Sequence, residues 1–172
     1  MNKPADNRGF TLPELAMVVC IIGIVGATLI PTLTANMKSA RLPSAASTLA
    51  ADLEYCQSLN ISNPSAPCVL CFDPPNAHYW IALASSPNTA ITHPGDAQPY
   101  DQIFGSGRLA SFGGVLLASA ALPNGNAVTT VNFDGFGRPS NGTNLIVTLT
   151  LNGQTLLVTM RGDTGDITIT SP

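Results

Sequence analysis

The sequence predicts an α+β protein, with a long amino-terminal helix packed on an antiparallel β-sheet domain, and three observations carry that expectation. Residues 15–37 contain no charged side chain. Residues 42–56 place apolar side chains at helical spacing. From residue 68 onward, short runs rich in Val, Ile, Thr and aromatics alternate with Gly, Pro, Asn and Asp, the pattern of strands and turns.

The uncharged stretch comprises 23 residues, about 34 Å as a helix, enough to cross a hydrocarbon core of roughly 30 Å with some tilt. Its flanking charges do not set an orientation, because Lys3 and Arg8 on one side are matched by Lys38 and Arg41 on the other. The short leader makes a cytoplasmic amino end the simpler expectation. A cleaved secretory signal would need a shorter apolar run and a small-residue site. Ser44-Ala45-Ala46 offers such a site, but the run is too long and Glu14 stands at its start.

Glu14 is the informative residue of this end. An acid in a first helical turn favours the helix dipole, which is its ordinary reading. At the mouth of a membrane-length apolar segment it also calls for a cationic partner. Pro13 is tolerated in a first turn, where the first NH groups have no intrahelical acceptor. Pro31 lies inside the run and predicts a kink near Ala27, with Thr28 and Thr32 able to bond the freed backbone groups.

Beyond the apolar run, Leu42, Ala46, Leu49, Leu53 and Cys56 recur at spacings of four, three, four and three. This is one face of an amphipathic helix, with Asp52 and Glu54 off that line, Pro43 marking a kink or a restart, and Asn63, Pro64 and Pro67 closing it. The strands expected next are 68–72, 78–84, 115–119, 128–133, 145–151, 155–160 and 166–170, with a long excursion over 85–114 holding at most a short strand. The clearest hairpin turns at Asn152-Gly153, a two-residue type I′ loop. Paired positions then sum to 305, which puts Leu145, Val147 and Leu149 opposite Met160, Val158 and Leu156 on one apolar face. The opposite face is mostly Thr, as a half-buried antiparallel sheet requires.

Composition excludes some functions. Seven Lys and Arg stand against ten Asp and Glu, a net charge of −3. Without the first nine residues, which hold Lys3, Asp6 and Arg8, five basic groups face nine acidic ones. Such a surface does not attract nucleic acid.

Two sets of residues resemble a known family. Gly9-Phe10-Thr11-Leu12-Pro13-Glu14-Leu15, followed by Val18-Val19-Cys20-Ile21-Ile22-Gly23-Ile24, resembles the type III signal of type IV pilins and type II secretion pseudopilins. Phe133-Asp134-Gly135-Phe136-Gly137-Arg138-Pro139, Thr164-Gly165-Asp166-Ile167-Thr168-Ile169 and Asp52-Leu53-Glu54-Tyr55-Cys56-Gln57-Ser58-Leu59 resemble elements of the H-type minor pseudopilins, the GspH/FimT-like proteins. The resemblance implies cleavage between Gly9 and Phe10 by a prepilin peptidase and N-methylation of Phe10. It also implies pairing of Glu14 with the amino terminus of a neighbouring subunit. Pro13 departs from the pattern, which more often has an aliphatic residue there. The implied organisation is a leader over 1–9, a transmembrane and filament-core helix over 10–37, a helical stem over 38–62 and a periplasmic β domain over 63–172. The implied partners are other pilin or pseudopilin subunits, the prepilin peptidase, and the inner membrane with its assembly platform. The alternative within the resemblance is a FimT-like pilin that binds DNA for uptake, which would want Lys and Arg grouped on an exposed end. The carboxy-terminal residues 162–172 hold two acids and no base.

No catalytic, metal or cofactor-binding residue is expected. Cys20 lies in the apolar run, leaving Cys56, Cys68 and Cys71. Cys68-Val69-Leu70-Cys71 has C-x-x-C spacing, but on a strand those two side chains point to opposite faces. Three readings stand: small buried hydrophobes, a disulfide of Cys56 with Cys68 or Cys71 in an oxidising compartment, and a redox or metal role. His78 and His93 lie apart in sequence with no acid and nucleophile arranged near them as a triad, although sequence distance alone does not exclude one, and the ordinary reading of His78-Tyr79-Trp80 is core and edge packing on a strand. Asp73, Asp96 and Asp101 are expected in loops without the dense oxygen spacing of a calcium site.

Overall fold

The computed structural model describes residues 11–172, with only the backbone of the helical stretch 26–39. The leader and the Gly9–Phe10 junction lie outside the described residues, and around Pro31, where a kink is expected, only the backbone is described, assigned as helix. Helical residues run from Leu12 to Ser62 (α1), and the assignment is continuous through Pro43, so no restart occurs there. The chain divides into two compact units, residues 1–39 and 40–172.

In the first unit, residues 12–25 expose apolar side chains on every side, among them Leu12, Met17, Ile22 and Ile24. A helix apolar all round has no water-facing side of its own. Among the described residues no helix is long and apolar enough to cross a membrane; of the uncharged run 15–37, only the part up to residue 25 has its side chains described.

In the second unit, the helical residues from 40 to Ser62 bury one face. Leu42, Ala46, Leu49, Leu53 and Cys56 are all buried, joined by Ala45, so the expected apolar line is the packed one. The helix ends where Pro64 forbids a further turn, and the Asn63 amide gives its last bond to the Leu59 carbonyl.

Nine strands follow: β1 Cys68–Asp73, β2 His78–Leu83, β3 Ser86–Ala90, β4 Asp101–Ile103, β5 Leu116–Ala121, β6 Thr130–Asn132, β7 Leu145–Leu151, β8 Gln154–Met160 and β9 Ile167–Thr170. They form two antiparallel sheets where one was expected. The first has the order β3-β2-β1-β6 with β4 also paired to β2, and the second has the order β5-β7-β8-β9. The excursion over 85–114 contains two short strands, β3 and β4, together with a 3-10 turn at Gly107–Phe112. Both strands are mostly exposed, so neither carries the apolar alternation that marks a strand in sequence. Their pairing with β2 is what makes them strands.

The β7–β8 hairpin has the expected register, from Leu145 opposite Met160 to Leu151 opposite Gln154. Asn152 and Gly153 take φ of 50° and 80°, the left-handed pair that a type I′ turn needs. The inward residues of both sheets, including Leu70, Tyr79 and Ile81 from the first and Val147, Leu149 and Val158 from the second, join the helix in one core cluster. A small second cluster of Val69, Cys71 and Ala82 lies on the other face of the first sheet, with Trp80 packed against it.

Candidate functional site

At the start of the helix, Thr11 and Glu14 close on each other. The Thr11 backbone NH donates to Glu14 Oε2 at 2.9 Å, and the Thr11 hydroxyl donates to the same oxygen at 2.8 Å. Thr11 thus stands at the N-cap and Glu14 at the third helical position, the half of a capping box in which the acid reaches back to the cap. Pro13 fits because its place lies in the turn that lacks intrahelical acceptors. The carboxylate is fully exposed among exposed apolar neighbours, with Leu15 at 61 % and Leu12 at 83 %. Of the residues expected to act here, Glu14 alone is described; Gly9 and Phe10 are not.

A second polar constellation, absent from the expectations, lies inside the β unit. Asp52 is 7 % exposed and accepts hydrogen bonds from Tyr79 Oη at 2.6 Å and Tyr100 Oη at 2.8 Å. Burial pushes its carboxyl above the ordinary value, against the two tyrosine bonds, which pull it down. Burial and the neighbouring carboxylate raise both tyrosine hydroxyls in turn. Tyr100 stacks on Tyr55 at 5.5 Å, meets His93 at 4.6 Å and lies under the Arg108 guanidinium at 5.6 Å. Asp52 therefore ties the helix to β2 and to the residue just before β4. Although Asp52 lies off the line of Leu42, Ala46, Leu49, Leu53 and Cys56, it stands three residues after Leu49 and four before Cys56, on the same buried helical face. That spacing was the available signal.

Gln57 and Asn60 extend the same seam. Gln57 Nε2 donates to the Gly137 carbonyl at 2.8 Å and the Gly165 carbonyl at 2.7 Å, so one side chain holds the two glycine turns of the family-like segments against the helix. Asn60, 2 % exposed, donates to the Cys56 and Cys68 carbonyls and accepts from the Cys68 NH.

The remaining candidates are placed as follows. Cys56, Cys68 and Cys71 are buried free thiols, and burial raises all three. Cys68 belongs to the main core and Cys71 to the small cluster on the opposite face, as strand alternation required. Each histidine has an acid brought to it by the fold: His78 contacts Asp101 and stacks on Trp80, and His93 Nδ1 lies 3.3 Å from Asp96. Asp73 ends β1 and Asp101 begins β4, so of the three aspartates only Asp96 is in a loop. No hydroxyl or thiol side chain hydrogen-bonds either imidazole among the described residues, and no group of three or more His, Cys, Asp or Glu is placed there to hold a metal. A cavity of about 280 Å³ between β6, the start of β7 and residues 139–143 is lined by uncharged side chains, among them Thr130, Asn132, Ser140 and Thr143.

The cations of residues 63–172 are Arg108, Arg138 and Arg161. Each lies 2.8 Å from an aspartate: Asp96, Asp134 and Asp163 respectively.

No protein-family model matches the chain, and no curated protein matches its sequence. Among solved structures, the chain is similar to the type IV minor pilin FimU of Pseudomonas aeruginosa in two crystal forms. In the first, the TM-score is 0.52 at 18 % identity, covering 78 % of this chain and 95 % of FimU. In the second, it is 0.50 at 18 % identity, covering 76 % and 97 %. At that identity the likeness concerns the fold: a helix packed on antiparallel sheets, as in a type IV minor pilin.

Proposed function

We propose that the chain is a minor pilin or pseudopilin, a structural subunit of a type IV pilus or of the pseudopilus of a type II secretion system. The observation that carries this reading is the apolar helix of residues 12–25, exposed on all sides, with the carboxylate of Glu14 in its first turn. Such a surface is stable only when covered, first by lipid and then by neighbouring helices. The helix anchors the chain once in the inner membrane with the β domain in the periplasm, and a prepilin peptidase cuts between Gly9 and Phe10. The freed, N-methylated amine of Phe10 on the next subunit then pairs with Glu14, setting the stagger between helices as the subunit leaves the assembly platform. A charge left unpaired among apolar helices is costly, so the pair acts as a register device.

The protein acts by assembly, and the arginines of its β domain, Arg108, Arg138 and Arg161, are each paired with an aspartate, which weighs against uptake of nucleic acid through that domain. Two variants of the full chain in a filament-forming host test the reading. Glu14→Ala should enter the membrane fraction normally and be lost from sheared filaments. Thr11→Ala, which removes only the hydroxyl contact within the cap, should still be incorporated. Normal incorporation of the Glu14 variant overturns the proposal.

A further inference from the structure

The edge of β6 turned away from β1 is interrupted at one residue. The Thr129 carbonyl accepts from the Phe72 NH at 2.8 Å. The hydrogen-bonded pairs of this ladder are therefore Phe72 with Thr129 and Leu70 with Val131, and Cys71 with Thr130 is the non-bonded pair between them. The NH and carbonyl of Thr130 thus point outward, away from β1. To one side of Thr130, the Val128 NH donates to the Ala120 carbonyl at 2.8 Å; to the other, the Ser140 NH donates to the Asn132 carbonyl at 2.9 Å. Both flanking segments then leave the edge, since β5 runs off to pair with β7 and the chain after Ser140 turns to enter β7 at Leu145. Thr130 is left lining the cavity of about 280 Å³. Its hydroxyl turns to Cys71 Sγ at 3.7 Å, and its two backbone groups have no partner among the described residues.

We infer that this notch receives an extended, uncharged peptide segment of a partner protein, one residue of which completes the β6 edge. The carbonyl of that residue accepts from the Thr130 NH, and its NH donates to the Thr130 carbonyl, as in strand addition. The cavity sets the chemistry of the occupant. Its walls carry Leu122, Val128 and Leu145 with Ser140 and Thr143, and no charged side chain. A Lys, Arg, Asp or Glu side chain entering it would lose water and meet no counter-charge. A cavity of roughly 150 Å³ holds a benzene, so this one admits an aliphatic or hydroxyl side chain with its stretch of backbone. The ladder on both sides of Thr130 is already taken by the chain's own pairing, so the contact is short. The partner enters as a loop tip or a chain end, not as a long strand. The notch lies in the β unit and does not depend on the assembly role of Glu14.

Amide hydrogen exchange on the isotope-labelled full-length chain in detergent micelles tests this, with the blocked tripeptide acetyl-Ser-Val-Thr-amide as the probe. In the free chain the Thr130 amide should exchange at least about tenfold faster than the Val131 amide. Peptide at about 5 mM should slow Thr130 by about threefold or more. The counterpart with Lys in place of Val should leave it unchanged. Ser140→Phe fills the notch from its wall, and should abolish the slowing while the β7–β8 amides keep their protection. A Thr130 amide as protected as Val131 in the free chain overturns the inference. So does a neutral peptide without effect, equal slowing by the Lys peptide, or slowing that survives Ser140→Phe.

Discussion

Tyr79 donates a 2.6 Å hydrogen bond to Asp52 inside the β unit, with the tyrosine wholly buried and the carboxylate nearly so. A carboxyl raised by burial holds its proton more tightly folded than unfolded. Its contribution to stability is therefore full below the unfolded value, about 4, and is lost as pH rises through the folded value. Carboxyls lowered by ion pairs, such as Asp96 and Asp163, work in the opposite sense and are common to wild type and variant. Asp52→Asn should thus change the difference in stability alone. Relative to wild type, the variant gains thermal midpoint as pH goes from about 4 to about 7. Thermal unfolding across that range measures it, and a pH-independent difference would count against a raised Asp52. Asp52→Ala leaves two tyrosine hydroxyls without their acceptor, and should lower stability by about 2 kcal/mol or more.

The two glycine turns held by Gln57 should loosen together. Gln57→Ala removes the bonds to Gly137 and Gly165, a loss of about 1–2 kcal/mol in urea unfolding. Limited proteolysis should then cut faster at both turns, although they lie 28 residues apart in sequence. Gly165→Ala should do more damage, because φ there is +81° and a Cβ would sit 2.9 Å from Gln57 Nε2.

Gly162 has no room for a side chain of any kind. A Cβ there would lie 2.4 Å from the carbonyl carbon and oxygen of Gly142, backbone atoms that cannot rotate away. Gly162→Ala should cost about 4 kcal/mol, measured as the shift in urea midpoint. Asn144→Ala, which removes only the acceptor of the Gly162 NH, should cost about 1 kcal/mol.

At the β7–β8 turn the strain is conformational. Gly153→Val places a β-branched residue at φ 80° and should lower stability by about 1–2 kcal/mol. Asn152→Gly should leave the unfolding midpoint nearly unchanged, since glycine takes the same left-handed conformation freely. Equal losses from the two substitutions would contradict the type I′ assignment.

Local pattern was enough for the features that depend on local pattern. Leu42, Ala46, Leu49, Leu53 and Cys56 were legible as a packed helix face because a helix repeats its faces at a fixed spacing. The β7–β8 register followed from Asn152-Gly153 because a two-residue turn leaves one way to pair the flanking residues. The opposed faces of Cys68 and Cys71 followed from strand alternation. Tertiary structure decided the rest. β3 and β4 exist through pairing with β2, and exposed edge segments carry no alternation to read. The split into two sheets depends on which strands meet, a long-range outcome. Asp52, Gln57 and Asn60 look like solvent-facing polar residues in sequence, and become the seam of the β unit only because Tyr79, Tyr100, Gly137, Gly165 and Cys68 are brought to them from elsewhere in the chain. A buried polar group is stable only with its partners in place, and those partners are set by the fold.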